Sequence, residues 1–117
     1  MKLIKSEDKE WLEKKGYSKK VYLSENDLNI KGAFVQKNKI KAGQTAESHF
    51  HKKQTEIFYF LNNNGYFIVN GKRIDVKEDD LIVIEPFDKH TVISDTKNDF
   101  LYMAFKLNYS EDDLFWD

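Results

Sequence analysis

The chain has 117 residues, a net charge of −1 spread over interspersed charges, three histidines and no cysteine. That length sets one domain, and 40% hydrophobic with 15% aromatic residues supplies one core rather than a disordered chain. The missing cysteines exclude disulfides, thiolate catalysis and zinc–thiolate sites; the lack of a basic stripe argues against nucleic acid, and no apolar run approaches the length of a membrane span.

In chain order, Ser6 as N-cap, Glu7 and Asp8 in a first turn, Lys14 and Lys15 in a last turn and Gly16 at the C′ position predict a short helix. Trp11 and Leu12 would dock it on the body. "KKVYLS" reads as a strand. From Ala33 the pattern becomes short β segments separated by turn signals. "AFVQ" is expected to end before Lys37-Asn38, "NKIKAG" at Gly43 and "EIFYFL" at the run Asn62 to Gly65. "YFIV" meets Asn70-Gly71, a strong hairpin signal, and returns as "KRIDV". "LIVI", "HTVIS" and "FLYMAFKL" complete the set. Many short strands at close spacing predict an all-β barrel or sandwich. The acidic tail "SEDDLFWD" either frays or is pinned by Leu114, Phe115 and Trp116. The N-terminus "MKLIKSEDKEW" has no apolar signal region, so a cytoplasmic protein is expected.

The chemistry concentrates in "ESHFHKKQTEIFYFL", Glu47 to Leu61. Side chains alternate faces along a strand, so His49 and His51 share one face with Phe50 on the other. Glu56 follows a polar turn and returns to the histidine face, with Phe58 and Phe60 inward and Ile57, Tyr59 and Leu61 outward. Two imidazoles and a carboxylate suit Fe, Mn, Ni, Cu or Zn. A His-any-His pair by itself is more often a solvated strand face.

The stretch resembles the first motif of the cupin superfamily: Gly, five residues, His-any-His, three or four residues, Glu, six residues, Gly. Here Gly43, His49, His51 and Glu56 match, and Asn63 stands at the closing glycine. Asn tolerates positive φ, so the turn is expected to survive. Gly65 follows two places on. The second motif is Gly, five residues, Pro, any, Gly, two residues, His, three residues, Asn. Counted from His90 it puts Asp79, Glu85, Phe87 and Ser94 at the Gly, Pro, Gly and Asn positions, so only the histidine is kept.

The resemblance implies a cupin-type conical barrel, a double-stranded β-helix or jelly-roll-like fold with a short N-terminal helix. Residues 1–31 would form an arm packing on the barrel, 32–108 the barrel and 109–117 a tail. His49, His51, Glu56 and His90 would bind one divalent transition metal at the barrel mouth, its identity open among Fe, Mn, Ni, Zn and Cu. Gln36, Phe58, Phe60, Phe67 and Tyr102 are candidates for the pocket lining, with simple core packing the competing role for the aromatics. Glu56 is also a candidate base. The expected partners are a small-molecule ligand and a second copy of the chain, with no nucleic acid and no membrane. Three functions stay open. One is a metal-dependent enzyme, by Lewis-acid isomerisation of a sugar or hydroxy-ketone or by dioxygenation. The second is a non-catalytic binding or sensor protein. The third is a metal-free sugar-nucleotide isomerase or epimerase using histidine acid/base chemistry, for which a single arginine, Arg73, is poor equipment.

Overall fold

The computed structural model describes residues Met1 to Asp117 and is almost entirely β. The strands are β1 (Leu12–Lys14), β2 (Tyr17–Leu23), β3 (Phe34–Ile40), β4 (Thr45–Phe50), β5 (Thr55–Phe60), β6 (Tyr66–Val69), β7 (Lys72–Asp75), β8 (Leu81–Ile84), β9 (His90–Ile93), β10 (Phe100–Leu107) and β11 (Phe115–Trp116). They form two antiparallel sheets, ordered β1-β2-β3-β10-β5-β8 and β11-β4-β9-β6-β7. The all-β jelly-roll-like architecture follows from the strand alternation. In β10, Phe100, Tyr102 and Ala104 are buried while the residues between them are half-buried. The same alternation runs through β5, with Glu56, Phe58 and Phe60 inward.

The core is an aromatic cluster between the sheets. Phe58, Phe60, Phe67, Phe100 and Tyr102 lie almost wholly out of solvent, with Ile40, Ile84 and Val92 beside them. Ring pairs stand 5.1 Å apart for Phe58–Tyr102 and 5.6 Å for Phe60–Phe100, within the range at which aromatic pairs attract beyond their buried area. Asn70 and Gly71 both take positive φ, 50° and 81°, as the expected two-residue hairpin between β6 and β7 requires.

Several local expectations are corrected. Ser6–Asp8 is only a 3-10 turn, and Lys9 to Gly16 is not helical. Ser6 does not cap a helix; its hydroxyl accepts from Tyr22 and Lys20. Leu12–Lys14 instead pairs with β2, and Gly16, with φ of 80°, turns the hairpin. Cross-strand pairing and the stacking of the Trp11 ring under Lys39, 4.1 Å from its centroid, outweigh the capping pattern. The chain's short α-helix, Glu25–Leu28, lies further on and opens with a Ser24–Asp27 capping box. Lys37-Asn38 does not end a strand. β3 runs through it, because Asn38 faces inward and is buried.

The turns of the degenerate motif keep their backbone shape. Asp79 and Phe87 hold φ of 73° and 72°, although neither is glycine. In the first motif, Asn63 does not take positive φ, so its expected role is not the one it has. The steric demand falls on Gly65, where a Cβ would collide with the Ile93 carbonyl oxygen and the Phe100 ring.

Candidate metal centre

Three of the four candidate ligands come from adjoining elements at one end of the sandwich. His49 lies on β4 directly opposite His90 on β9. The pairing of β4 with β9 shifts register between Ala46 and His49, so β4 carries one extra residue there. Strict alternation from the inward Ala46 would aim His49 outward. The bulge restores it, and with it His51, to the cavity side. Glu56 is the first inward residue of β5, in the other sheet.

The ring orientations are set by backbone carbonyls. His49 Nδ1 is 2.9 Å from the Glu47 carbonyl oxygen and His90 Nδ1 is 3.0 Å from that of Asp88. His51 Nδ1 is 2.6 Å from the Asp113 carbonyl oxygen. A carbonyl only accepts, so each Nδ1 carries the proton and donates it. Each Nε2 is left with a free lone pair. That is the outer support a metal-ligating imidazole needs.

The four donor atoms all lie within 4.8 Å of one another. One ion with bonds of roughly 2.0–2.2 Å would hold opposed donors about 4.4 Å apart, so a small contraction closes the set. His51 Nε2 lies 2.9 Å from Glu56 Oε1, and His90 Nε2 lies 3.9 Å from it. Neither buried nitrogen makes a well-aligned hydrogen bond. Buried polar atoms are rarely left so, and a shared ion would satisfy both. The residues present fit a divalent metal.

The charges suit the same role. Burial pushes the Glu56 carboxyl up, but the His51 contact and the Lys106, His90 and His51 charges outweigh it and hold it at about 2. Burial, reinforced by His90, lowers His49 to about 4. Burial also lowers His90. For His51 burial acts downward, yet the close Glu56 carboxylate and its charge leave it above the ordinary value of 6.5.

A cavity of about 290 Å³ opens beside the cluster. Gln36, Phe58 and Tyr102 line it. Phe60 and Phe67 do not. Both are 0% exposed and belong to the core beneath, because they lie one step further from the open end than Phe58. Residues that strand reading passed over also face the cavity: Lys19, Asn38, Gln54, Lys106, Asp113 and Trp116. The parity of Tyr102 and Ala104 was a signal for Lys106. Nothing local marked Asp113.

Asp113 fastens the tail. Its carboxylate accepts from the backbone N–H groups of Lys52, Lys53 and Gln54 at 2.7, 2.9 and 2.9 Å. Burial would raise this carboxyl, but those bonds keep it below the usual range. β11 then pairs with β4, setting the Trp116 ring 5.7 Å from that of His49. The tail is therefore pinned, and it walls the site.

A family model described as the cupin domain matches residues 38–105. An oxalate-binding protein of Thermotoga maritima is 26% identical over 82 residues, covering 70% of this chain and 68% of that protein. The polyketide cyclase RemF of Streptomyces resistomycificus superposes with a TM-score of 0.83 at 14% identity, over 99% of this chain and 84% of its own. KdgF of Halomonas sp. gives 0.80 at 14% identity, over 96% and 97%. At these identities the two structures speak for the fold alone.

Two outcomes follow. Replacing Asp113 with Ala strips the carboxylate acceptor from three N–H groups and loosens the tail backbone whose carbonyl holds His51, so denaturant unfolding should show a loss on the order of 2–4 kcal/mol; an unchanged midpoint would contradict the tail's role. For the pH dependence, a proton on His51 Nε2 competes with a metal, and that proton is held above the ordinary value. Competition titration with Zn²⁺ should therefore show affinity weakening as pH falls, with the onset above the ordinary imidazole value of 6.5 and a slope approaching about tenfold per unit once His51 is protonated. Glu56 at about 2 and His49 at about 4 remain deprotonated there. A flat profile between about pH 6 and pH 8 would refute the assignment.

Proposed function

The chain belongs to the cupin-domain family, and from that membership we propose that it is a metal-dependent enzyme acting on a small oxygenated molecule. The observation that carries this reading is the convergence of His49, His51, Glu56 and His90 with every Nδ1 already committed to a carbonyl. A divalent ion bound there supplies a Lewis acid for isomerising a sugar or hydroxy-ketone or, where it is redox-active, a centre for dioxygenation.

The chain's own residues do the rest. The carbonyls of Glu47, Asp88 and Asp113 aim the imidazoles and fix their tautomer. Glu56 stays ionised and contributes the one negative charge of the ligand set. Burial raises the Tyr102 phenol well above its ordinary value, so it remains a neutral hydrogen-bonding group on the cavity wall. Leu114 and Trp116 from the tail line the mouth and limit the entry of water. The name of the oxalate-binding relative favours a second reading, a cupin that holds a small ligand without turning it over.

Elemental analysis of protein purified without chelator or nickel resin should find close to one equivalent of a divalent transition metal, and His51→Ala should lose most of it. Less than about a tenth of an equivalent, with added metal also failing to raise the melting temperature, would sink the metal reading. Oxygen uptake and isomerisation assays on diols, hydroxy-ketones and diketones separate the enzyme from the binder. Turnover unchanged in His51→Ala would place the chemistry elsewhere.

A homodimer is also part of the proposal. On the outer face of the six-stranded sheet Ile57 pairs with Val83 and Tyr59 with Leu81, and Leu81 and Val83 remain 60% and 53% exposed on an edge strand. Apolar surface of this kind asks for cover. Light scattering at micromolar concentration should give twice the chain mass, and Val83→Lys should shift it to monomer. A monomeric wild type would overturn this.

A further inference from the structure

The cavity carries two ammonium groups that are not among the candidate metal ligands. Lys19 projects from β2, with Asn38 beside it on β3 and Tyr102 next on β10, three inward residues in one cross-strand row. Lys106 is two inward positions beyond Tyr102 and stands directly opposite Glu56 in the β10–β5 pairing. Both lysines are half-buried and both line the cavity. Neither forms an ion pair.

Charges withdrawn from water are normally paired. The acids near these two are already committed or remote in role. Glu56 belongs to the ligand set, Asp113 is saturated by three backbone N–H groups, and Glu111 is solvent-exposed. Lys14 also lines the cavity and adds positive charge. The wall between the lysines is polar as well. Gln36 Nε2 donates to Asn38 Oδ1 at 2.7 Å, holding both amides in place. The Lys106 ammonium is steadied over the Tyr109 ring, 5.0 Å from its centroid. The wall has charged donors in surplus, and the carboxylate nearest to them, Glu56, is shared with the candidate ligand set.

Resting on the metal reading for its other end, we infer that Lys19 and Lys106 form an anion-docking subsite, and that the ligand is a small organic acid whose carboxylate sits on these ammonium groups while its remaining oxygen donors meet the four-residue cluster. The cavity volume, about 290 Å³, suits a compact acid and lies at the small end of ligand sites, which run from about 300 to 1,000 Å³. The direction of the Lys19 shift agrees. Burial, with Lys106 and Lys14 nearby, lowers Lys19 to about 8 against the opposing pull of Glu56. A further carboxylate beside this ammonium group favours its charged form. Two charge-assisted hydrogen bonds then select an acid over its amide.

Calorimetric titration with malonate, succinate and glutarate, each against its monoamide, tests the subsite in metal-loaded and metal-stripped protein. At least one diacid should bind the loaded protein about tenfold or more tightly than its monoamide, as expected for charge-assisted bonds. The double variant Lys19→Met/Lys106→Met, compared at matched metal loading, should bring that ratio to about one. Wild-type protein that binds every diacid and its monoamide alike overturns the subsite, whether or not the variant folds. A preference that survives in the folded double variant overturns it too. Failure of the metal reading looks different: the protein then retains no metal, yet the lysine-dependent preference for the diacid persists in stripped wild type.

Discussion

The site depends on three hydrogen bonds from imidazole Nδ1 atoms to backbone carbonyls. Each fixes a tautomer and a ring plane, and each leaves an Nε2 lone pair directed at the same small volume as Glu56 Oε1. Two of the carbonyls, Glu47 and Asp88, lie two residues before the histidine they hold. The third comes from Asp113, 62 positions beyond His51. The candidate metal site is thus partly made by local backbone shape and partly by the closing of the chain's last strand.

Everything around this core of contacts keeps those carbonyls in place. The bulge in β4 turns His49 and His51 to the cavity side, and the pairing of β4 with β9 brings His49 to within 4.2 Å of His90, ring centroid to centroid. The aromatic cluster below supplies a stiff floor, since closely packed interiors resist displacement. Positive φ at Asp79 and Phe87 shows how firmly the turns are held. Non-glycine residues in that region carry local strain, and the surrounding hydrogen bonds maintain it, among them Phe87 N–H to the His51 carbonyl at 2.6 Å. A turn next to a ligand is thereby tied to the residue bearing that ligand.

Side-chain charge divides the cavity into two chemically different parts. Nitrogen and oxygen donors with one negative charge occupy one side, and ammonium and amide donors occupy the wall formed by β2, β3 and β10. With a cation held on the first side, a molecule that satisfies both would carry electron-rich oxygens at two positions. This constraint on the ligand arises from residues outside the ligand-spacing motif.

Strand content was legible in the sequence through short-range periodicity: alternation in "EIFYFL" and "FLYMAFKL", and Asn70-Gly71 at a hairpin. His49, His51, Glu56 and His90 were legible together only through the resemblance to the cupin motifs, and the packed sheets bring their donor atoms within 4.8 Å of one another. The N-terminal segment misled, since a capping pattern describes a helix only where no strand competes, and β2 offered a partner for Leu12–Lys14. Phe60 and Phe67 had the right parity for the cavity but the wrong depth, which alternation cannot encode. Asp113 had no sequence signal at all, because its three N–H partners lie about 60 residues away. The sequence by itself determined which atoms can ligate and which strand faces carry them. Only the tertiary structure decided how those faces meet, where the tail closes and which lysines lose water, because depth, curvature and contacts between distant strands are properties of the packed sheets and not of any local run of residues.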